Sequence, residues 1–101
     1  MPGVWDALSA MLAEQAGFTT AFLSGYAVSG SLLGLPDFGY LTQTEVADAA
    51  RRVCLAAPGL DLVVDADTGY GNPLNTRRTV DLWEQAGAAG LFLEDQVWPK
   101  R

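Results

Sequence analysis

Two observations predict a parallel α/β fold. Helix-period and strand-like segments alternate along the chain, and the alternation repeats every roughly 30–40 residues. Polar residues also recur just after the apolar runs: Ser24, Asp65, Asp67, Glu94 and Asp95 all stand at a strand's C-terminal end. Alternation of this kind implies parallel strands joined by right-handed crossovers. The same placement bears on function. In (β/α)8 barrels the C-terminal edge holds the active site, and in open α/β sheets ligands bind beyond the same strand ends.

Met1–Trp5 is too short for an element of its own and reads as the frayed end of one. Asp6 stands where an N-cap belongs, with Leu8, Met11, Leu12 and Ala16 at helical spacing and Gly17 as the stop. Thr19-Thr20-Ala21-Phe22-Leu23 reads as a strand ending in Ser24-Gly25. The long connection from Gly25 to Leu41 carries Tyr26, Val28, Leu32, Leu33, Leu35 and Phe38. It is too apolar for disorder and reads as a folded active-site loop. Thr42-Gln43-Thr44-Glu45 matches a capping box, and Val46, Ala50, Val53, Cys54 and Ala57 form one face of the helix that follows. Pro58-Gly59 ends it.

The apolar run Leu60–Val64 closes abruptly in Asp65-Ala66-Asp67-Thr68-Gly69-Tyr70-Gly71. A short apolar run bounded by turn residues is a buried strand. Two aspartates at i and i+2 on extended backbone share a side, and they repel unless a cation or donors sit between them. Asn72-Pro73 opens a third helix through Val80, Leu82, Trp83 and Ala86, stopped by Gly87. Gly90-Leu91-Phe92-Leu93 is the next strand, ending in Glu94-Asp95-Gln96.

Composition narrows the function. With 101 residues, half of them hydrophobic and 18% charged, the chain is globular. A net charge of −6 argues against nucleic acid or an anionic membrane surface as partner. An anionic substrate is still compatible, because a divalent cation would reverse the local sign. One cysteine and no histidine exclude a disulfide framework and a Cys/His zinc site within the chain. No apolar run approaches the roughly 20 residues that cross a bilayer, and no leader precedes Val4, so a soluble, cytoplasmic protein is expected.

The acidic segment admits several readings. An EF-hand loop wants Asp or Asn at its fifth position, Gly at its sixth and Glu at its twelfth, but Gly69, Tyr70 and Thr76 stand there. A dinucleotide loop lacks its third glycine, with Leu74 in its place. The structural alternative is that the aspartates only cap the next helix. A metal site is favoured because Glu94 and Asp95 end the neighbouring strand of the repeat. Several carboxylates on one rim without histidine suit a hard cation such as Mg²⁺, which keeps waters and takes further oxygens from its substrate. Lys100 and Arg101 could pair with substrate carboxylates, Cys54 reads as core, and Trp5, Trp83 and Trp98 read as packing residues.

Four segments, Pro2–Ala10, Ser24–Gly39, Val64–Asn72 and Glu94–Arg101, resemble the isocitrate lyase/phosphoenolpyruvate mutase superfamily in that family's order. Within it the chain is most similar to the short lyases acting on 2-methylisocitrate, 2-alkylmalates or oxaloacetate. The resemblance implies a (β/α)8 barrel, usually tetrameric, with Mg²⁺ as cofactor and Mn²⁺ as a possible substitute. It implies that Asp65 meets the metal most directly, with Asp67 and Glu94 acting largely through water. Ser24, Gly25 and Tyr26 match a cradle for the substrate's 2-oxo-acid carboxylate. Asp37 matches an aspartate near the reacting centre, and Lys100 the lysine that starts a mobile gating loop.

In the lyases that loop continues with Cys-Gly-His, its cysteine a general acid, and Arg101 falls immediately before that place. A whole barrel takes about 250 residues, so residues 1–101 are expected to be the N-terminal part of one barrel domain. About three β/α units are present, and the isolated chain is expected to be inactive. The implied reaction is cleavage of a C–C bond in a 2-hydroxy or 2-oxo dicarboxylate through an enolate. Phosphonate chemistry of the mutase or phosphonopyruvate hydrolase type is the alternative, and Lys100-Arg101 leans towards the lyase. An inactive remnant is the third possibility.

Overall fold

The computed structural model describes residues 1–98. Four parallel strands form one sheet in the order in which they occur along the chain: β1 (Gly3–Val4), β2 (Thr20–Leu23), β3 (Asp61–Asp65) and β4 (Gly90–Phe92). Val4 aligns with Leu23, Leu23 with Val64, and Val64 with Leu91. Each crossover advances the sheet by one strand without reversal. Right-handed connections that all advance one way leave their helices on one face, the arrangement of a β/α barrel wall.

Helix α1 (Ala7–Gln15) links β1 to β2, and α3 (Gln43–Ala56) returns the chain to β3. Helix α4 (Pro73–Ala86) links β3 to β4, and α3 packs between α1 and α4. The predicted caps are present. Asp6 accepts from the Ser9 N–H at 2.7 Å, and Thr42 and Glu45 form the reciprocal capping box. Asn72 caps α4 by accepting from Leu74 and Asn75, with Pro73 in the first turn. Asp65 and Asp67 are therefore not that helix's caps, which overturns the structural alternative. Gly17 and Gly87 leave α1 and α4 at φ 97° and 101°, backbone that glycine adopts at little cost.

Period-two alternation sorts the sheet's faces. Val4, Ala21, Leu23, Leu62 and Val64 are buried against the helices, which bring Ala10, Val46, Ala50, Val53 and Trp83 to the same core. Burying a side chain of this size stabilises the fold by about 1.5–3 kcal/mol. On the opposite face Phe22 and Phe92 meet edge to face at 5.4 Å, beside Val63.

Three expectations change. Gly3–Val4 is paired to β2 rather than frayed, through the Phe22 N–H to the Pro2 carbonyl at 2.9 Å. The long connection is partly helical: one turn, α2 (Gly25–Val28), runs directly into a turn of π-helix at Ser29–Leu33. Finally, α1 buries Ala10 and Ala13, while Leu8, Met11 and Leu12 are more than half exposed. The alanines let α1 approach the sheet closely, and its larger apolar side chains point away.

Phe18, Leu55 and Phe92 are among the large apolar side chains left exposed, and apolar surface that gathers into patches favours association. Expressed alone, the 101-residue chain is expected to associate or to melt without cooperativity. A single sharp, reversible transition in a monomeric sample would contradict this.

Candidate metal centre

Asp65 is the last residue of β3 and lies on the face away from the helices. Its carboxylate is fastened by two backbone donors, the Gly25 N–H to Oδ2 at 3.1 Å and the Asp67 N–H to Oδ1 at 2.9 Å. Its backbone carbonyl accepts from Trp83 Nε1–H at 3.2 Å, within the core. The first donor requires Gly25 to lack a side chain, because a Cβ there would lie 2.7 Å from Asp65 Oδ2. Ser24 places that N–H by capping the single turn of α2, accepting from the Ala27 N–H at 3.3 Å.

Asp67 reaches the same rim by a turn, not by continued extension. Its φ is 47°, in the left-handed region that aspartate tolerates better than most residues. That corrects the expectation of an extended i, i+2 pair. Asp67 is 3% exposed, and its Oδ2 accepts from the Tyr70 hydroxyl at 3.0 Å. The Asp67 carbonyl accepts from the Glu94 N–H at 2.7 Å, and the Phe92 carbonyl from the Ala66 N–H at 2.9 Å. These bonds seat the segment after β4 against the segment after β3. Asp65, Asp67 and the exposed Glu94 consequently each offer a carboxylate oxygen within 4.8 Å of the others.

Like charges this close repel by a few kcal/mol per pair at an effective dielectric of about 20. A hard divalent cation is what three converging carboxylate oxygens fit. The neighbouring phenol does not add to the negative charge. Burial first, then the charge and hydrogen bond of Asp67 and the charges of Asp65 and Asp37, push the Tyr70 hydroxyl far above its usual range. Asp37, half-buried, is the most minor of these influences on the Tyr70 hydroxyl.

Of the residues read from sequence, Asp65, Asp67 and Glu94 come together, and Gly25 holds Asp65. Tyr26 is 70% exposed and contributes to a shallow pocket with Trp5, Leu35 and Pro36. Lys100 lies outside the described residues. Cys54 is half-buried beneath Gly87, and burial pushes its thiol up, as expected of a packing residue. Trp83 is wholly buried, whereas Trp5 and Trp98 are substantially exposed, Trp98 lying against Gly39.

Sequence reasoning passed over the supports. Gln43 Nε2 donates to Thr79 Oγ1 at 2.6 Å, and Thr79 Oγ1 donates to the Gly69 carbonyl at 2.8 Å. The start of α3 is thereby tied through α4 to the acidic turn. A polar Thr79 flanked by the periodic positions Val80, Leu82 and Trp83 was the available signal.

The fold and site define a parallel α/β segment with three carboxylates converging on its C-terminal rim, a set of groups that could hold a metal ion. The family model for phosphoenolpyruvate phosphomutase matches residues 1–101, and the chain belongs to this phosphoenolpyruvate mutase/isocitrate lyase superfamily. It is 61% identical over 101 residues to the petal death protein of Dianthus caryophyllus. It is 59% identical to the chloroplastic carboxyvinyl-carboxyphosphonate phosphorylmutase of Arabidopsis thaliana. All of this chain is matched in both, against 32% and 30% of the relatives, so it spans about a third of their length.

Among solved structures it superposes on an oxaloacetate acetylhydrolase bound to oxalate with a TM-score of 0.94 and 40% identity. That match covers 99% of this chain and 35% of the other. A phosphonopyruvate hydrolase complexed with oxalate and Mg²⁺ gives a TM-score of 0.90 at 34% identity, with the same coverage. The names of the relatives are those of lyases, hydrolases, decarboxylases and phosphomutases of one enzyme family. Among the described residues no helix is long and apolar enough to cross a membrane.

Gly25→Ala in the full-length protein is expected to displace the Asp65 carboxylate and weaken Mn²⁺ binding by about tenfold or more. Gly30→Ala, where a Cβ meets nothing within 4 Å, serves as the control. Equal Mn²⁺ affinity in the two variants, by calorimetric titration, would contradict the clamp.

Proposed function

We propose that this chain supplies the metal-holding rim of an enzyme that cleaves a C–C bond in a 2-oxo or 2-hydroxy dicarboxylate. The convergence of Asp65, Asp67 and Glu94 within 4.8 Å at the ends of adjacent strands carries the reading. These three side chains would hold Mg²⁺ or Mn²⁺, with Asp65, fastened by two backbone donors, as the most rigid ligand. The bound ion would supply Lewis-acid stabilisation of negative charge developing on the substrate's 2-oxo oxygen.

The remaining residues bind and orient. Ser24 and Tyr26, on either side of Gly25, would receive the 2-oxo-acid carboxylate at the same strand ends. Asp37, whose charge bears on the nearby Tyr70 hydroxyl, would stand near the bond that breaks, and Lys100 would begin the loop that covers the site. The full protein would close the sheet into a (β/α)8 barrel, to which residues 1–101 contribute about a third, and would assemble as a homotetramer. Solved relatives crystallised with oxalate favour a small 2-oxo acid as substrate. The same carboxylate rim would also serve phosphonopyruvate, so the assay includes it.

The full-length protein is expected to cleave oxaloacetate or a 2-alkylmalate, to lose activity in EDTA, and to regain it with Mg²⁺ or Mn²⁺. Asp65→Asn should lower turnover by more than about 100-fold. Turnover of phosphonopyruvate alone would move the assignment to phosphonate chemistry. Full activity of Asp65→Asn in limiting Mg²⁺ would refute the metal reading.

A further inference from the structure

We infer that Tyr70 is a positioning residue of the metal centre, its hydroxyl fixing the Asp67 carboxylate while its ring is held by Trp83. The inference rests on the metal reading of Asp65, Asp67 and Glu94 given above. Tyr70 has φ 64°, a left-handed conformation that is an outlier for a bulky side chain and strains the backbone. Packing alone gives no reason for it, since an aromatic residue can reach a core from ordinary backbone.

The twist turns the phenol back by three residues, so that its hydroxyl donates to Asp67 Oδ2 at 3.0 Å. Gly69 and Gly71, at φ 98° and 138°, absorb the reversal on either side. Neither could carry a side chain, because a Cβ at Gly69 would run into Thr76 and one at Gly71 into Asn75. The turn is thus seated on the first turns of α4 at both glycines.

The ring lies against Trp83 at 5.7 Å between centroids, tilted by 52°. Trp83 is itself fully buried and donates to the Asp65 carbonyl. One aromatic pair therefore reaches both aspartates, the main chain of Asp65 and the side chain of Asp67. Holding one oxygen of Asp67 fixes the plane of its carboxylate, and so the direction in which its other oxygen meets an ion. Donors of this kind behind a metal ligand commonly change affinity by 10–100-fold.

The test is Mn²⁺ titration of the full-length protein, read by the electron paramagnetic resonance of free Mn²⁺, with thermal melts in EDTA alongside. Tyr70→Phe keeps the ring on Trp83 and removes only the donor. It is expected to weaken Mn²⁺ binding by about tenfold or more, with a modest drop in the metal-free melting temperature because the buried Asp67 carboxylate gives up one donor. Placing 4-aminophenylalanine at position 70, which restores a donor, should recover most of the affinity. If Tyr70→Phe does not fold, 4-methylphenylalanine, of tyrosine's size but without its donor, replaces it in the same comparison. Wild-type affinity in the donorless variant, or no recovery with the amino group, would overturn the role of Tyr70 while leaving the metal site standing. A wild-type protein that binds no Mn²⁺ would overturn both.

Discussion

The Asp65 carboxylate, held between the N–H groups of Gly25 and Asp67, is the contact on which the candidate site depends. One donor comes from the end of β2 and the other from the turn after β3. The pair therefore locks neighbouring strand ends to one anionic group. A buried carboxylate needs such donors, because desolvation without hydrogen bonds is costly. The constraint propagates outwards. It demands glycine at position 25, it fixes where α2 begins, and it sets the strand end at which Trp83 finds its acceptor.

Around that anchor the two other carboxylates are placed by backbone rather than by side-chain reach. Asp67 arrives through a left-handed residue, and Glu94 through its N–H bonded to the Asp67 carbonyl. Backbone placement limits how far the three groups can separate to relieve repulsion. Such placement would hold the rim ready for a cation, and the cation rather than the carboxylates would stabilise a developing anion with little rearrangement. The chain Gln43, Thr79, Gly69 performs the matching task behind the turn, in the protein interior. By contrast, Asp48 with Arg51 and Arg52 is a surface cluster, whose exposed pairs contribute little to stability.

Much of this was legible in the sequence for reasons of periodicity and capping. The Thr42–Glu45 box, Asn72-Pro73 and the stops at Gly17 and Gly87 are local devices, so local reading finds them. The rim was legible because strand ends in a parallel sheet share one edge, and Asp65, Asp67 and Glu94 each follow an apolar run. What failed depended on tertiary context. The Gly25–Leu33 helical turns mix serine and glycine with apolar residues, leaving no clear period. The burial of Ala10 and Ala13 in place of Leu8, Met11 and Leu12 is decided by how closely α1 meets the sheet. Tyr70 between two glycines was the visible trace of a strained, aimed side chain, although the spacing did not reveal its target.

The most direct test of the account is an anomalous diffraction map of the full-length protein crystallised with Mn²⁺. A single strong peak bounded by Asp65, Asp67 and Glu94 is expected, with Asp65 still accepting from Gly25 and Asp67. A bound ion elsewhere, with these three carboxylates pointing apart, would contradict it.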